Sequence, residues 1–460
     1  MLDRQTSRRV QSSSMADRES SLWRRPKWPN SRGRGRNKAS LVTPFVSHLP
    51  FHPSCFLGYG AAILAERYDL EVIDLNAQLH FKNRRKLEQI LKFLDWVQIV
   101  SDALFLYPFY DELETHIERE YEAICWEEYP RVYVTSPSWF PMVPTEAVLR
   151  LSRAVKRASP ETRICFFGNS LGSWTNKEEL KKNGVQTVHL NNLFDMDPSV
   201  RPVRYDLLPT PIYENRDKYL FDLVPFMLKH GCSWGRCRFC SLSRGWNSGY
   251  LERSPKAAIK ELEVLIDRYD PKVLVCRDNS LGGNNLIEFC RYFERFGKLW
   301  GGMSRADLSA KEIDALWRAG CRVIFFGLES GSDRTLRAIN KGITSKQMSD
   351  FIKTLHSSGI APAPSVIIGA PGERRVDFEK TIQFLVDHRG YFDVVNVYPF
   401  MATPASEFGL QKMQPDKNTP MKLFQFVQRC GDLGLKVCVG EQCAEYVLFK
   451  KVYTNQLAVS

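Results

Sequence analysis

The chain has 460 residues, 43% of them hydrophobic and 12% aromatic, which is enough for two or three domains with sizeable cores. It has no run of about 18 apolar residues, which excludes a membrane-spanning helix, and its charged opening lacks the apolar stretch of a secretory signal. The net charge of +12 is unevenly spread: residues 1–40 hold eleven Lys and Arg against three acidic residues, leaving +4 for the rest.

That opening segment is rich in Ser, Arg and Gly and has no apolar periodicity, so it reads as a disordered basic leader. With so little excess charge on the body, a nucleic-acid surface there is not expected. From residue 41 the pattern becomes an alternation of strands and helices. Leu41–Val46 reads as a strand, followed by a small-residue helix opening at Leu57 and a strand over residues 70–74. A helical region follows over about 82–128, interrupted near Pro108. Residues 131–135 and 163–168 are apolar strands joined by a helix near 145–158. Such alternation predicts a doubly wound parallel sheet, with ligands at the carboxyl ends of its strands. The small and polar residues at those ends are Ser136, Ser138, Gly168 and Asn169. These elements delimit a first domain over 41–191.

An irregular connector spans 192–217, and the alternation then restarts. Strands are expected at 222–230, 272–277, 298–304, 322–328, 363–369 and 393–399. Helices are expected between them at 255–269, 285–296, 311–318, 345–358 and 376–388. Six β/α units over 218–410 predict a partial barrel, whose chemistry belongs at the carboxyl ends of its strands. Residues 411–460 remain as a C-terminal extension.

Cys232, Cys237 and Cys240 fall just after the first of these strands, in Gly-Cys-Ser-Trp-Gly-Arg-Cys-Arg-Phe-Cys. Three neighbouring thiols always leave one unpaired as disulfides, but they can hold three irons of a four-iron four-sulfur cluster with one iron open. Zinc is a rival, with His230 as a candidate fourth ligand. A redox Cys-x-x-Cys would lack the third cysteine. Other cysteines, such as Cys165, Cys276, Cys290 and Cys321, sit singly in apolar segments and read as reduced core residues of a cytoplasmic protein. Cys430, Cys438 and Cys443 are too scattered for an auxiliary cluster.

The cysteine spacing C-x4-C-x2-C, Phe326-Gly-Leu-Glu-Ser-Gly-Ser332 with Asn340-Lys-Gly342, and Ile367-Ile-Gly-Ala-Pro-Gly-Glu373 occur in the order found in the radical SAM enzymes. Residues 220–410 resemble that family, whose usual cysteine spacing is one residue shorter between the first two. The resemblance implies a 4Fe-4S cluster on Cys232, Cys237 and Cys240. It also implies S-adenosylmethionine chelating the open iron and reductive release of a 5′-deoxyadenosyl radical. By the same resemblance Phe239 packs near the adenine, Asp278 and Asn279 lie near the methionine amino group, and Arg305 pairs with its carboxylate. Glu329 and Ser330 reach the ribose, and Gly369 and Gly372 let the backbone approach the adenine, although Glu329 and Arg305 are equally placed to pair with each other.

A Rossmann-like domain before such a barrel resembles the cobalamin-binding subfamily, with Ser136, Ser138, Gly168 and Asn169 as cobalamin contacts. Residues 41–220 contain neither the Asp-x-His-x-x-Gly cobalt-ligand motif nor a Gly-x-Gly-x-x-Gly nucleotide motif. The expectation is a cobalamin-dependent methyltransferase acting on an unactivated carbon of a small-molecule or peptide substrate, with flavodoxin or ferredoxin as electron donor. The alternatives are a cyclase or rearrangement enzyme using the same radical, and a zinc-bound nucleic-acid module.

Overall fold

The computed structural model describes residues 37–137, 143–167, 175–188, 206, 208–243, 250–403 and 406–454. Residues 1–36 of the expected basic leader, together with Ser138, Gly168 and Asn169, lie outside them, while its last three residues, expected to be disordered, belong to a strand. The first described strand already starts at Lys38. In chain order the strands are β1 (Lys38–Thr43), β2 (Asp69–Asp74), β3 (Ile99–Ser101), β4 (Arg131–Val134), β5 (Arg163–Phe167), β6 (Val185–Val188), β7 (Leu223–Phe226), β8 (Lys229–His230), β9 (Leu251–Glu252), β10 (Val273–Cys276), β11 (Leu299–Ser304), β12 (Cys321–Glu329), β13 (Ala361–Ile368), β14 (Val395–Pro399) and β15 (Val437–Val439).

The front sheet is parallel, in the order β2-β1-β4-β5-β6. Its helices Cys55–Ala65 and Thr145–Ala158 agree with the expected ones. The second sheet runs β3-β15-β14-β13-β12-β11-β10-β7, so the six expected barrel strands pair in order. The intervening helices start where side chains cap them. Ser254 precedes Pro255–Tyr269, and capping boxes Ser309/Glu312 and Thr344/Gln347 open Ala310–Arg318 and Ser345–Ser357.

Two features depart from expectation. Residues 82–128 are not wholly helical: β3 lies among them and pairs in parallel with β15 rather than with the front sheet. The 411–460 segment is no appendage, because β15 continues the barrel sheet beside β14. Its last helix, Glu441–Tyr453, packs against β11, β12, β14 and β15. Phe449 on this helix has its ring 5.8 Å from that of Phe325 on β12 and 5.6 Å from that of Phe51 in the front domain. One apolar core therefore joins both sheets, with Val42, Val132, Val275, Val323 and Leu448 in the same cluster.

The amino end of that helix carries a buried polar network. Asp102 accepts hydrogen bonds from the Gln442 and Cys443 amides at 3.1 and 3.0 Å. Burial pushes the Glu445 carboxyl up to about 7; Glu441 and Asp102 add to the effect, while Arg277 and His48 offset part of it. An acid whose folded pKa exceeds its unfolded value of about 4.3 binds more protons when folded, so its contribution to stability falls as pH rises from there to about 7. Denaturation midpoints should accordingly drop between about pH 5 and about pH 8, and Glu445→Gln should flatten that slope.

Candidate functional site

The three cysteines lie on the loop after β7, at the carboxyl end of the first barrel strand. The antiparallel pair β8/β9 pinches the base of the loop, joining Lys229 to Glu252 and His230 to Leu251. Within it the Cys240 amide donates to the Cys237 carbonyl at 3.2 Å. None of the twelve cysteines forms a disulfide. Among the described residues, no three His, Cys, Asp or Glu side chains converge as ligands of a single ion, His230 included.

A second segment, 338–342, cradles the loop. Trp234 Nε1 donates to the Asn340 carbonyl and Asn340 Nδ2 to the Arg236 carbonyl, both at 2.9 Å. The Arg238 amide donates to the Ile339 carbonyl at 3.0 Å, and its Nε to Glu407 at 2.8 Å. Phe239 inserts among Leu336, Ile339, Ala370, Phe400 and Phe408. Gly342 completes the cradle: its φ is +70°, and a Cβ there would collide with the Trp234 ring. Both terms oppose a side chain, the backbone one by roughly 1–2 kcal/mol. Gly342→Ala should therefore lower the melting temperature and loosen the cysteine loop, seen as faster thiol labelling of the iron-free protein.

Charge gathers under the loop. Burial pushes the Cys240 thiol up to about 12. It raises Cys237 as well, offset in part by Lys341 and Arg305. Lys341, which sequence reasoning did not single out, donates to Glu329 Oε1 at 2.7 Å, and both side chains are buried. Glu329 holds a left-handed backbone, φ +62°, uncommon for a non-glycine residue and frequent at functional sites. Arg305 bonds Asp307 at 2.8 Å and the Lys341 carbonyl at 2.9 Å, and its guanidinium lies 5.0 Å from the Trp234 ring centre. Thus Glu329 and Arg305 do not pair with each other; each has its own partner.

Other expected residues divide by orientation. Asp278 Oδ1 accepts from the Leu228 and Lys229 amides at 2.8 and 3.1 Å. It thereby ties the end of β10 to the start of β8, and burial lifts its carboxyl to about 6. Asn279 beside it is half-buried. Ser330 faces the barrel wall, its Oγ 2.9 Å from Thr381 Oγ1. The Gly369 amide donates to Glu373 at 2.9 Å, and the Gly372 carbonyl accepts from Arg334 at 2.6 Å. In the front domain Ser136 is buried beyond β4.

Comparison with known proteins agrees with this geometry. Residues 228–385 match the family model for the radical SAM superfamily. An uncharacterized methyltransferase of Pyrococcus horikoshii is 34% identical over 207 residues, 42% of this chain and 43% of that protein. The anaerobic magnesium-protoporphyrin IX monomethyl ester cyclase of Rubrivivax gelatinosus is 29% identical over 164 residues, 34% of this chain and 29% of that one. The chain thus spans less than half the length of these curated relatives. Among solved structures, the radical S-adenosylmethionine methyltransferase TsrM of Kitasatospora setae, with cobalamin and a 4Fe-4S cluster bound, aligns with a TM-score of 0.59 at 15% identity. The alignment covers 82% of this chain and 77% of that one, so the Rossmann-like sheet plus partial barrel is a shared fold. Residues 228–385, with their three-cysteine loop after the first barrel strand, are thus the part of this chain that matches the radical SAM superfamily.

Proposed function

We propose that the chain is a cobalamin-dependent radical SAM methyltransferase acting on an unactivated carbon. The observation that carries this reading is the anchored three-cysteine loop at the carboxyl end of the first barrel strand, in a fold whose front sheet shares a core with the barrel. The donor set fits a four-iron cluster: three thiols on one loop, none of them in a disulfide, beside the cations Lys341 and Arg305 that favour thiolates. Cys232, Cys237 and Cys240 hold three irons and leave the fourth to S-adenosylmethionine. When bound, the cluster supplies an electron for cleaving the sulfonium C–S bond, and cobalamin supplies a transferable methyl group.

This chain's residues bind and orient. Asn279, half-buried at the β10 end, meets the methionine amino group together with Asp278, whose Oδ1 is held by the Leu228 and Lys229 amides while its Oδ2 has no partner. Arg305 is fixed by Asp307 and Trp234 for the methionine carboxylate. Glu329 is held by Lys341 for the ribose. The Phe239 cluster keeps water from the loop's inner side. Ser136 lies at the strand ends where the front domain would take cobalamin. The electron comes from an external donor such as flavodoxin or ferredoxin, in a compartment that keeps thiols reduced.

Anaerobic reconstitution with iron, sulfide and hydroxocobalamin tests the reading. A brown protein with about four irons, bound cobalamin, and both 5′-deoxyadenosine and S-adenosylhomocysteine on reduction is the expected result. Deoxyadenosine without homocysteine product or cobalamin uptake would replace methyl transfer by cyclisation or rearrangement. A colourless, iron-free protein would remove the radical reading altogether.

A further inference from the structure

Along the barrel strands, positions facing the lumen alternate with positions facing the helices. Met303, Phe325, Gly327, Ser365, Asn396 and Tyr398 face the lumen and are each only half-buried. Their neighbours Gly302, Phe326, Val366 and Val397 face the helices and are buried. Met303 pairs with Phe325 across β11 and β12, and Gly327, Ser365 and Asn396 form the next rung. The upper lumen is therefore an accessible chamber, with Glu329 two residues above Gly327.

Its floor is charged and incompletely satisfied. Arg277, just past the end of β10, is 4% exposed, and Glu445 of the last helix is 5% exposed. Their closest approach is 3.9 Å, too long for a hydrogen bond. Arg277 Nε and Glu445 Oε2 have no hydrogen-bond partner, and neither has Oδ1 of Asn396, which is linked to this floor through Tyr398, whose phenol lies in the field of Glu445. The surrounding groups are already engaged. Asn396 Nδ2 donates to the Tyr398 hydroxyl at 2.7 Å. Glu441 receives that hydroxyl and His48 Nε2, both at 3.3 Å. Burying a polar group without a partner forfeits its hydration for nothing, so one donor and two acceptors kept open here point to a bound partner.

That partner must accept beside Arg277 and donate beside Glu445 and Asn396, with opposite charges a few atoms apart. A free α-amino acid does so: its carboxylate matches the guanidinium, and its ammonium has N–H groups for both acceptors. We propose that Arg277, Glu445 and Asn396 bind the zwitterionic head group of a free amino-acid substrate. The substrate side chain then rises past Gly327 and Ser365 toward the cysteine loop. The proposal rests on the methyltransferase reading and narrows its substrate from small molecule or peptide to a free amino acid.

The test uses the reconstituted full chain, without reductant or cobalamin, and each of the proteinogenic L-amino acids as probe in a thermal-shift assay. At least one should raise the melting temperature saturably. Its N-acetyl derivative and its decarboxylated amine should bind at least tenfold more weakly, as should the intact amino acid to Arg277→Gln and Glu445→Gln, with Arg277→Lys partly restoring affinity. Iron content and circular dichroism check that the variants fold. No stabilisation by any amino acid, or stabilisation indifferent to both substitutions, would overturn the assignment. Because binding is read without turnover, this failure is separate from a failure to take up iron or transfer methyl groups.

Discussion

Replacing any one of Cys232, Cys237 or Cys240 with alanine leaves a folded protein that retains no stable four-iron cluster and forms no 5′-deoxyadenosine above the iron-free background. The fold survives because the loop is held by other groups: Trp234 on Asn340, Arg238 on Glu407 and Phe239 in its apolar cluster. The cluster does not, because two thiolates cannot replace three at a site with an open iron. Iron per chain, the brown absorption and circular dichroism should separate these effects. Cys290→Ala serves as the contrast: that thiol is buried in the wall behind β10 and β11, so its loss should leave iron uptake unchanged and cost only a small cavity. Full iron incorporation in any of the three loop variants would end the assignment of that residue as a ligand.

The second large effect belongs to Lys341. Its ammonium and the Glu329 carboxylate are both almost fully buried and pair at 2.7 Å. Lys341→Met leaves a buried carboxylate without its cation, which costs about 3–5 kcal/mol. The double variant Lys341→Met/Glu329→Gln should recover much of that loss, because neither charge then remains uncompensated. The coupling in this cycle is read from denaturant unfolding of the iron-free chain. Equal losses in the single and double variants would mean that the pair contributes little to the fold and that Lys341 matters through its other neighbours, Cys237 and Arg305.

The sequence foretold the barrel well because its helices are long, amphipathic and capped. The expected helix over 255–269 has the bounds observed, set by Ser254 and Pro255. β3 escaped notice because three residues, Ile-Val-Ser, carry no period of their own, and its partner β15 lies at the far end of the chain. The cysteine loop was legible from its spacing, and its place after the first barrel strand is the one observed. Orientation at the strand ends was not: barrel strands covered on both faces read as continuous apolar runs, so alternation does not show which residues point inward. The sequence therefore did not show that Asp278 Oδ1 is held by the Leu228 and Lys229 amides, or that Ser330 turns to Thr381. Arg277, one residue earlier and facing the lumen, went unremarked. Lys341 was hidden because its partner Glu329 lies across a helix and a loop rather than at helical spacing.

The pairing of β3 with β15 sets the order in which the molecule can be made. β3 emerges early in synthesis, but its partner strand and the helix that fills the lumen are among the last described residues. Until they arrive, the inward face of the barrel has no Phe449 or Leu448 against it, and the edges of β3 and β14 stand open. Contacts spanning so much of the chain make folding slow and leave sticky intermediates. A ribosome-stalled chain cut before Val437 should therefore bind chaperones and resist compaction even though every cysteine of the loop has already been synthesised.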